Sequence, residues 1–136
     1  MFYHRTELTI NKIRIDEIQQ LQKQSIRCLV LLSCNTGRVN ESNPNNRYDN
    51  IATEFAKITG NGLVVAPNGF CSYSNYRNSN IQLPFTCFLE IPGNIKYTYW
   101  RIYRGNNNRL YFNTQQSLLS MKYLIELIRL KGWVSL

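Results

Sequence analysis

Apolar residues fall in short runs separated by polar turns, so the pattern predicts many short elements. Phe2-Tyr3-His4 reads as the end of a first strand. Leu8-Thr9-Ile10 and Ile13-Arg14-Ile15 alternate around Asn11-Lys12, which predicts a small hairpin with Asn11 tolerating positive φ. Asp16 suits a helix N-cap, and Ile18, Leu21 and Ser25 then share one face, so residues 16–25 read as a short amphipathic helix. The run Arg27-Cys28-Leu29-Val30-Leu31-Leu32-Ser33 stops at Cys34-Asn35-Thr36-Gly37 and reads as a strand, 27–33, buried on both faces.

A long polar loop follows over 35–48, rich in asparagine and holding Asn40, Asn43 and Pro44. Asp49 is the expected cap of a second helix with the stripe Ile51, Ala52, Phe55, Ala56 and Ile58, which Gly60 stops. Leu63-Val64-Val65-Ala66 predicts a second buried strand ended by Pro67-Asn68-Gly69. Strand, helix, strand over 27–66 implies a right-handed crossover with the two strands parallel.

Residues 70–82, with Ser72 and Tyr73, read as a loop or irregular hairpin. Phe85 to Glu90 and Ile95 to Tyr103 predict two strands around Pro92-Gly93-Asn94, and Leu110-Tyr111-Phe112 a third after the turn 104–108. Thr114 is expected to cap a final helix, Leu118 to Leu130, which Gly132 ends. The fold class is α/β: a mostly parallel central sheet flanked by helices, with a hairpin-rich C-terminal half and a final helix. At 136 residues the chain is read as a single domain, 1–136.

Composition narrows the chemistry. Lys and Arg number 16 against 8 Asp and Glu, a net charge of +8 that suits an acidic partner. The basic residues are scattered, so a solvated basic surface accounts for them better than a nucleic-acid site. Tyr97, Tyr99, Trp100 and Tyr103 fit sheet packing better than base stacking, because aromatics in a strand more often pack on the sheet or its neighbours. No run is long enough to span a membrane, and no signal-peptide core begins the chain. The four cysteines form no CxxC pair and there is one histidine, so neither a metal nor another cofactor is expected. Cys28 and Cys34, six apart on the expected strand, would share a face without reaching each other. Folding in a reducing cytoplasm is inferred.

Cys34 stands where the apolar run meets its turn. Ligands bind beyond the carboxyl ends of strands in open α/β sheets, so this is a suitable place for a nucleophilic thiol. A small, semi-buried residue closing a strand explains the same position.

Leu31-Leu32-Ser33-Cys34-Asn35-Thr36-Gly37 resembles the nucleophile motif of caspase-fold cysteine peptidases, nearest to the CHAT-like modules of bacterial polymorphic toxins. Ile51-Ala52-Thr53-Glu54-Phe55-Ala56, Val64-Val65-Ala66-Pro67-Asn68-Gly69 and Trp100-Arg101-Ile102-Tyr103-Arg104-Gly105 resemble later segments of such modules. The resemblance implies a caspase-like αβα sandwich in which a histidine at the end of a neighbouring strand pairs with the cysteine. That histidine would be His4, followed by Arg5 where the family usually has glycine. It also implies backbone N–H groups at the oxyanion, with Arg5 and Asn35 as candidates beside Cys34.

The functional expectation is a peptidase that is a bacterial toxin or toxin-processing domain, made in the bacterial cytoplasm and delivered within a larger toxin. Its substrate would be a protein or peptide with acidic segments, in a groove shaped by loops 38–48 and 68–82 (Asn40, Asn43, Ser72 and Tyr73). Two alternatives are an inactive caspase-like protein-binding module and a basic toxin acting on nucleic acid.

Overall fold

The computed structural model describes residues 26–39, 50–60, 62–73, 84–105 and 110–135, together with the backbone of three strand pieces at 3–4, 9–10 and 13–14. Those pieces, β1 (Tyr3–His4), β2 (Thr9–Ile10) and β3 (Ile13–Arg14), form one antiparallel sheet in the order β1-β2-β3. The register Ile10↔Ile13 closes the expected hairpin around Asn11-Lys12. The expected helix 16–25 lies outside the described residues.

A second sheet has the order β10-β9-β5-β4, from β4 (Cys28–Val30), β5 (Leu63–Pro67), β9 (Trp100–Arg104) and β10 (Leu110–Asn113). β4 and β5 are parallel, as the crossover requires. The β5–β9 and β9–β10 pairs are antiparallel, so the sheet is mixed and the expected mostly parallel sheet is corrected. The cause is local: β9 returns to β5 by way of hairpins, which reverse the chain without a crossover helix.

A third sheet has the order β11-β7-β6, with β8 also on β7. Its strands are β6 (Phe70–Tyr73), β7 (Phe85–Ile91), β8 (Asn94–Tyr97) and β11 (Leu118–Leu119). The stretch read as one strand, 95–103, is therefore two. Residues up to Tyr97 pair with β7, and from Trp100 onward the chain pairs with β5.

Alternation along β5 and β9 sorts the core into two layers. Val64, Ala66 and Tyr103 face helix α1 (Ile51–Ile58), packing with Ile51, Ala52, Phe55 and Ala56. Leu63, Val65, Trp100 and Ile102 face the other way, against Cys87 and Leu119 of the third sheet and against Leu124 and Ile128 of helix α2 (Met121–Lys131). Trp100 and Tyr103 are fully buried, which removes them from any stacking surface.

Both helices begin later than the sequence suggested. α1 is capped by Asn50, not Asp49: the Asn50 side chain accepts from the Thr53 N–H (3.0 Å), and the Thr53 hydroxyl accepts from the Asn50 N–H (3.0 Å). α2 is capped by Ser120, because Leu118 and Leu119 are taken into β11 by pairing with Thr86 and Phe85. Thr114 instead fixes a corner, accepting from the Trp100 N–H and donating to the Gln116 carbonyl, both at 2.9 Å. Gly132 ends α2 in the left-handed region, φ 67°, as expected.

Candidate functional site

β4 ends at Val30, three residues short of the expected strand, and the Leu31 N–H makes one further bond to the Val65 carbonyl at 2.8 Å. β4 also lies at an edge of its described sheet, so Cys28, Leu29 and Val30 are half-buried rather than enclosed on both faces. Cys34 thus sits in a turn, not on the strand with Cys28, and the expected shared face does not apply.

That turn is tied down at several points. The Asn35 N–H donates to the Gly69 carbonyl at 2.6 Å and the Gly37 N–H to the Pro67 carbonyl at 3.1 Å. The Thr36 hydroxyl reaches back to the Ser33 carbonyl at 2.9 Å, and the Ala52 N–H at the start of α1 donates to the Thr36 carbonyl at 3.0 Å. Asn35 itself is left-handed, φ 62°, a conformation asparagine accepts more readily than most residues.

Beneath the turn, the buried Tyr103 hydroxyl donates to the Gly37 carbonyl at 2.7 Å. The same oxygen accepts from Asn50 Nδ2 and from Arg101 Nε, each at 2.9 Å. Asn50 therefore caps α1 and braces the cysteine turn at once. Arg101 is itself buried, and the bond to Tyr103 satisfies its Nε–H.

The turn rests on a corner where the chain passes between sheets twice. Pro67-Asn68-Gly69 leads from β5 to β6, and Thr98-Tyr99 from β8 to β9. The Asn68 N–H donates to the Tyr99 carbonyl at 3.1 Å, stitching the two passages together. This corner brings Cys34 to β6, where its thiol donates to the Cys71 carbonyl at 3.9 Å. Cys71 in turn pairs across strands with Cys87. The fold thus gathers three cysteines that lie far apart in sequence.

Burial pushes the Cys28 thiol up to about 11 and the Cys71 and Cys87 thiols up to about 12. At Cys71 the charge of Cys34 and a hydrogen bond with it add to burial. At Cys87 the Asn68 backbone pulls the other way, and burial wins.

Of the expected site residues, Cys34, Asn35, Ser72 and Tyr73 lie among the described residues with their side chains. β1, which carries His4, pairs with β2 and belongs to the small antiparallel sheet, not to the sheet of β4. The His4 side chain, Arg5, Asn40 and Asn43 lie outside the described residues. The Asn35 N–H is spent on the Gly69 carbonyl, so in this arrangement it is not open to an oxyanion. Ser72 and Tyr73 belong to strand β6 rather than to a loop, because they pair with Thr86 and Phe85, and both are exposed. Sequence reasoning missed Cys71 as a neighbour of Cys34. Only the pairing of β6 with β7 and the corner at Gly69 bring it there.

No family model, no curated protein and no solved structure matches the chain.

Proposed function

We propose that the chain is a cysteine peptidase of the Cys–His type, with Cys34 as nucleophile and His4 as base. The observation that supports this reading best is a half-buried thiol on a braced turn, just past the carboxyl end of a strand in a parallel pair. The caspase-like motif around Cys34 supplies the histidine and the reaction class. His4 takes the Cys34 proton, and the thiolate adds to a peptide carbonyl. The Cys34 and Arg5 N–H groups are the oxyanion donors in this reading, since that of Asn35 is engaged. His4 protonates the leaving amine as the C–N bond breaks, and water then hydrolyses the thioester to free Cys34. A role as a bacterial toxin or toxin-processing domain, delivered within a larger toxin and acting on acidic peptides, follows from the resemblance and from the net charge of +8.

A second reading is a protein-binding module without catalysis. Ile91, Ile95 and Tyr97, exposed on the β7–β8 hairpin, favour it, as does the engaged Asn35 amide. Alkylation kinetics separate the two. Near pH 7, iodoacetamide should modify Cys34 ahead of Cys28, Cys71 and Cys87, which burial holds protonated. His4→Ala should slow that modification and lower peptide hydrolysis by about 10²-fold or more, and Cys34→Ala should abolish hydrolysis. An unchanged Cys34 rate in His4→Ala overturns the dyad.

A further inference from the structure

We propose that Cys34 and Cys71 form a reversible, redox-active dithiol, closed to a disulfide by a low-molecular-weight disulfide and opened by excess thiol. The inference does not depend on peptidase activity. It rests on where the thiols sit. Cys34 lies on the braced turn with its thiol directed at the Cys71 backbone, 3.9 Å from the carbonyl oxygen.

Cys71 has a second neighbour. The Cys87 N–H donates to Ser117 and its carbonyl accepts from Thr98, so both of its backbone groups point away from β6. Cys71 and Cys87 are therefore a non-hydrogen-bonded cross-strand pair, the kind in which side chains approach most closely. Access decides between the two partners. Cys87 is fully buried, whereas Cys34 and Cys71 are both half-buried, so an oxidant reaches the Cys34–Cys71 pair before Cys87.

The exchange balances. The Cys34 thiolate attacks one sulfur of the small disulfide, its S–S bond breaks, and one small thiolate leaves. Cys71 then loses its proton to solvent and attacks Cys34 Sγ, expelling the second small thiolate. Two protein thiols are oxidised by two electrons, and one small disulfide becomes two thiols. Burial makes Cys71 a slow attacker, so closure is the slow step. The closed form has no nucleophile at position 34, so oxidation switches off any reaction that needs it.

The test equilibrates the native full chain with reduced and oxidised glutathione at graded ratios, quenches with an alkylating agent and maps the peptides by mass spectrometry. The expected result is a Cys34–Cys71 linked peptide that grows with the oxidised fraction and is lost on adding excess reduced glutathione. In Cys71→Ser, Cys34 should instead carry one glutathione, and in Cys34→Ser neither Cys71 nor Cys87 should be linked. A linked Cys71–Cys87 peptide, or Cys34 held as the glutathione adduct while Cys71 is present, overturns the proposal. So does the absence of any oxidised species in the native protein. Alkylation that ignores His4 while the 34–71 link still forms removes the dyad and leaves this inference standing.

Discussion

A methyl group added at Gly37 would lie 2.8 Å from both the Cβ and the carbonyl oxygen of Ala66. The neighbour is mainly backbone of a central strand and cannot swing aside, so the cysteine turn would have to lift from β5. Gly37→Ala should therefore cost about 1–3 kcal/mol of stability, read as a lower midpoint in urea, and should loosen Cys34 as well. Asn35, by contrast, adopts its left-handed φ of 62° as a residue type suited to it, although its buried side-chain Oδ1 has no hydrogen-bond partner among the described residues. At this scale the sequence was informative where residue type carries a backbone demand. Asn35-Thr36-Gly37 was readable as a turn and Gly132 as a helix stop. The thiol neighbours were not readable, since Cys71 and Cys87 approach Cys34 through contacts between distant segments.

At the scale of elements, α1 is held by a capping residue that also reaches the site. Asn50→Ala removes the cap and the donors to the Tyr103 hydroxyl and the Arg38 carbonyl together. The expected loss is about 2–4 kcal/mol, a cap plus a broken buried hydrogen bond. Asn50→Ser keeps the cap acceptor and should recover part of it, which comparison of the two urea midpoints checks. The helix stripe of α1 was legible because its period matches one buried face. Its cap was misplaced by one residue because Asp49 and Asn50 are both good caps and local preference does not choose between them. Residues 95–103 read as one strand because β-propensity is high throughout, and nothing local marks the step at Thr98-Tyr99 from one sheet to the next.

At the scale of the whole molecule, the mixed sheet has a helix on one face and a second helix and a sheet on the other, with Cys87 buried in the second layer and Cys28 and Cys71 half-buried against it. Cys28, Cys71 and Cys87 are raised to about 11, 12 and 12 from an ordinary 9.0. The folded chain holds these protons more tightly than the unfolded chain. Below about pH 9 both states keep them and stability does not depend on them. Above it, the unfolded state releases protons first, so stability falls as pH rises toward 11–12. Each thiol contributes up to about 1.4 kcal/mol per pH unit to that slope. Urea unfolding measured from pH 8 to 10.5 should show the decline, with a shallower slope in Cys87→Ala even though that variant starts less stable.

The sequence by itself determined the short-element α/β character, helix α1, the parallel β4–β5 pair and the turn at Cys34, because each follows from local period, turn chemistry or a crossover of fixed hand. Only the tertiary structure decided that the sheet is mixed, that β4 lies at an edge of it among the described residues, and that β1 pairs with β2 rather than in the described sheet of β4. It alone brought Cys34, Cys71 and Cys87 together. The physical reason is that strand partnership and register are settled by burying apolar faces across distant segments, and no window of neighbouring residues contains that information.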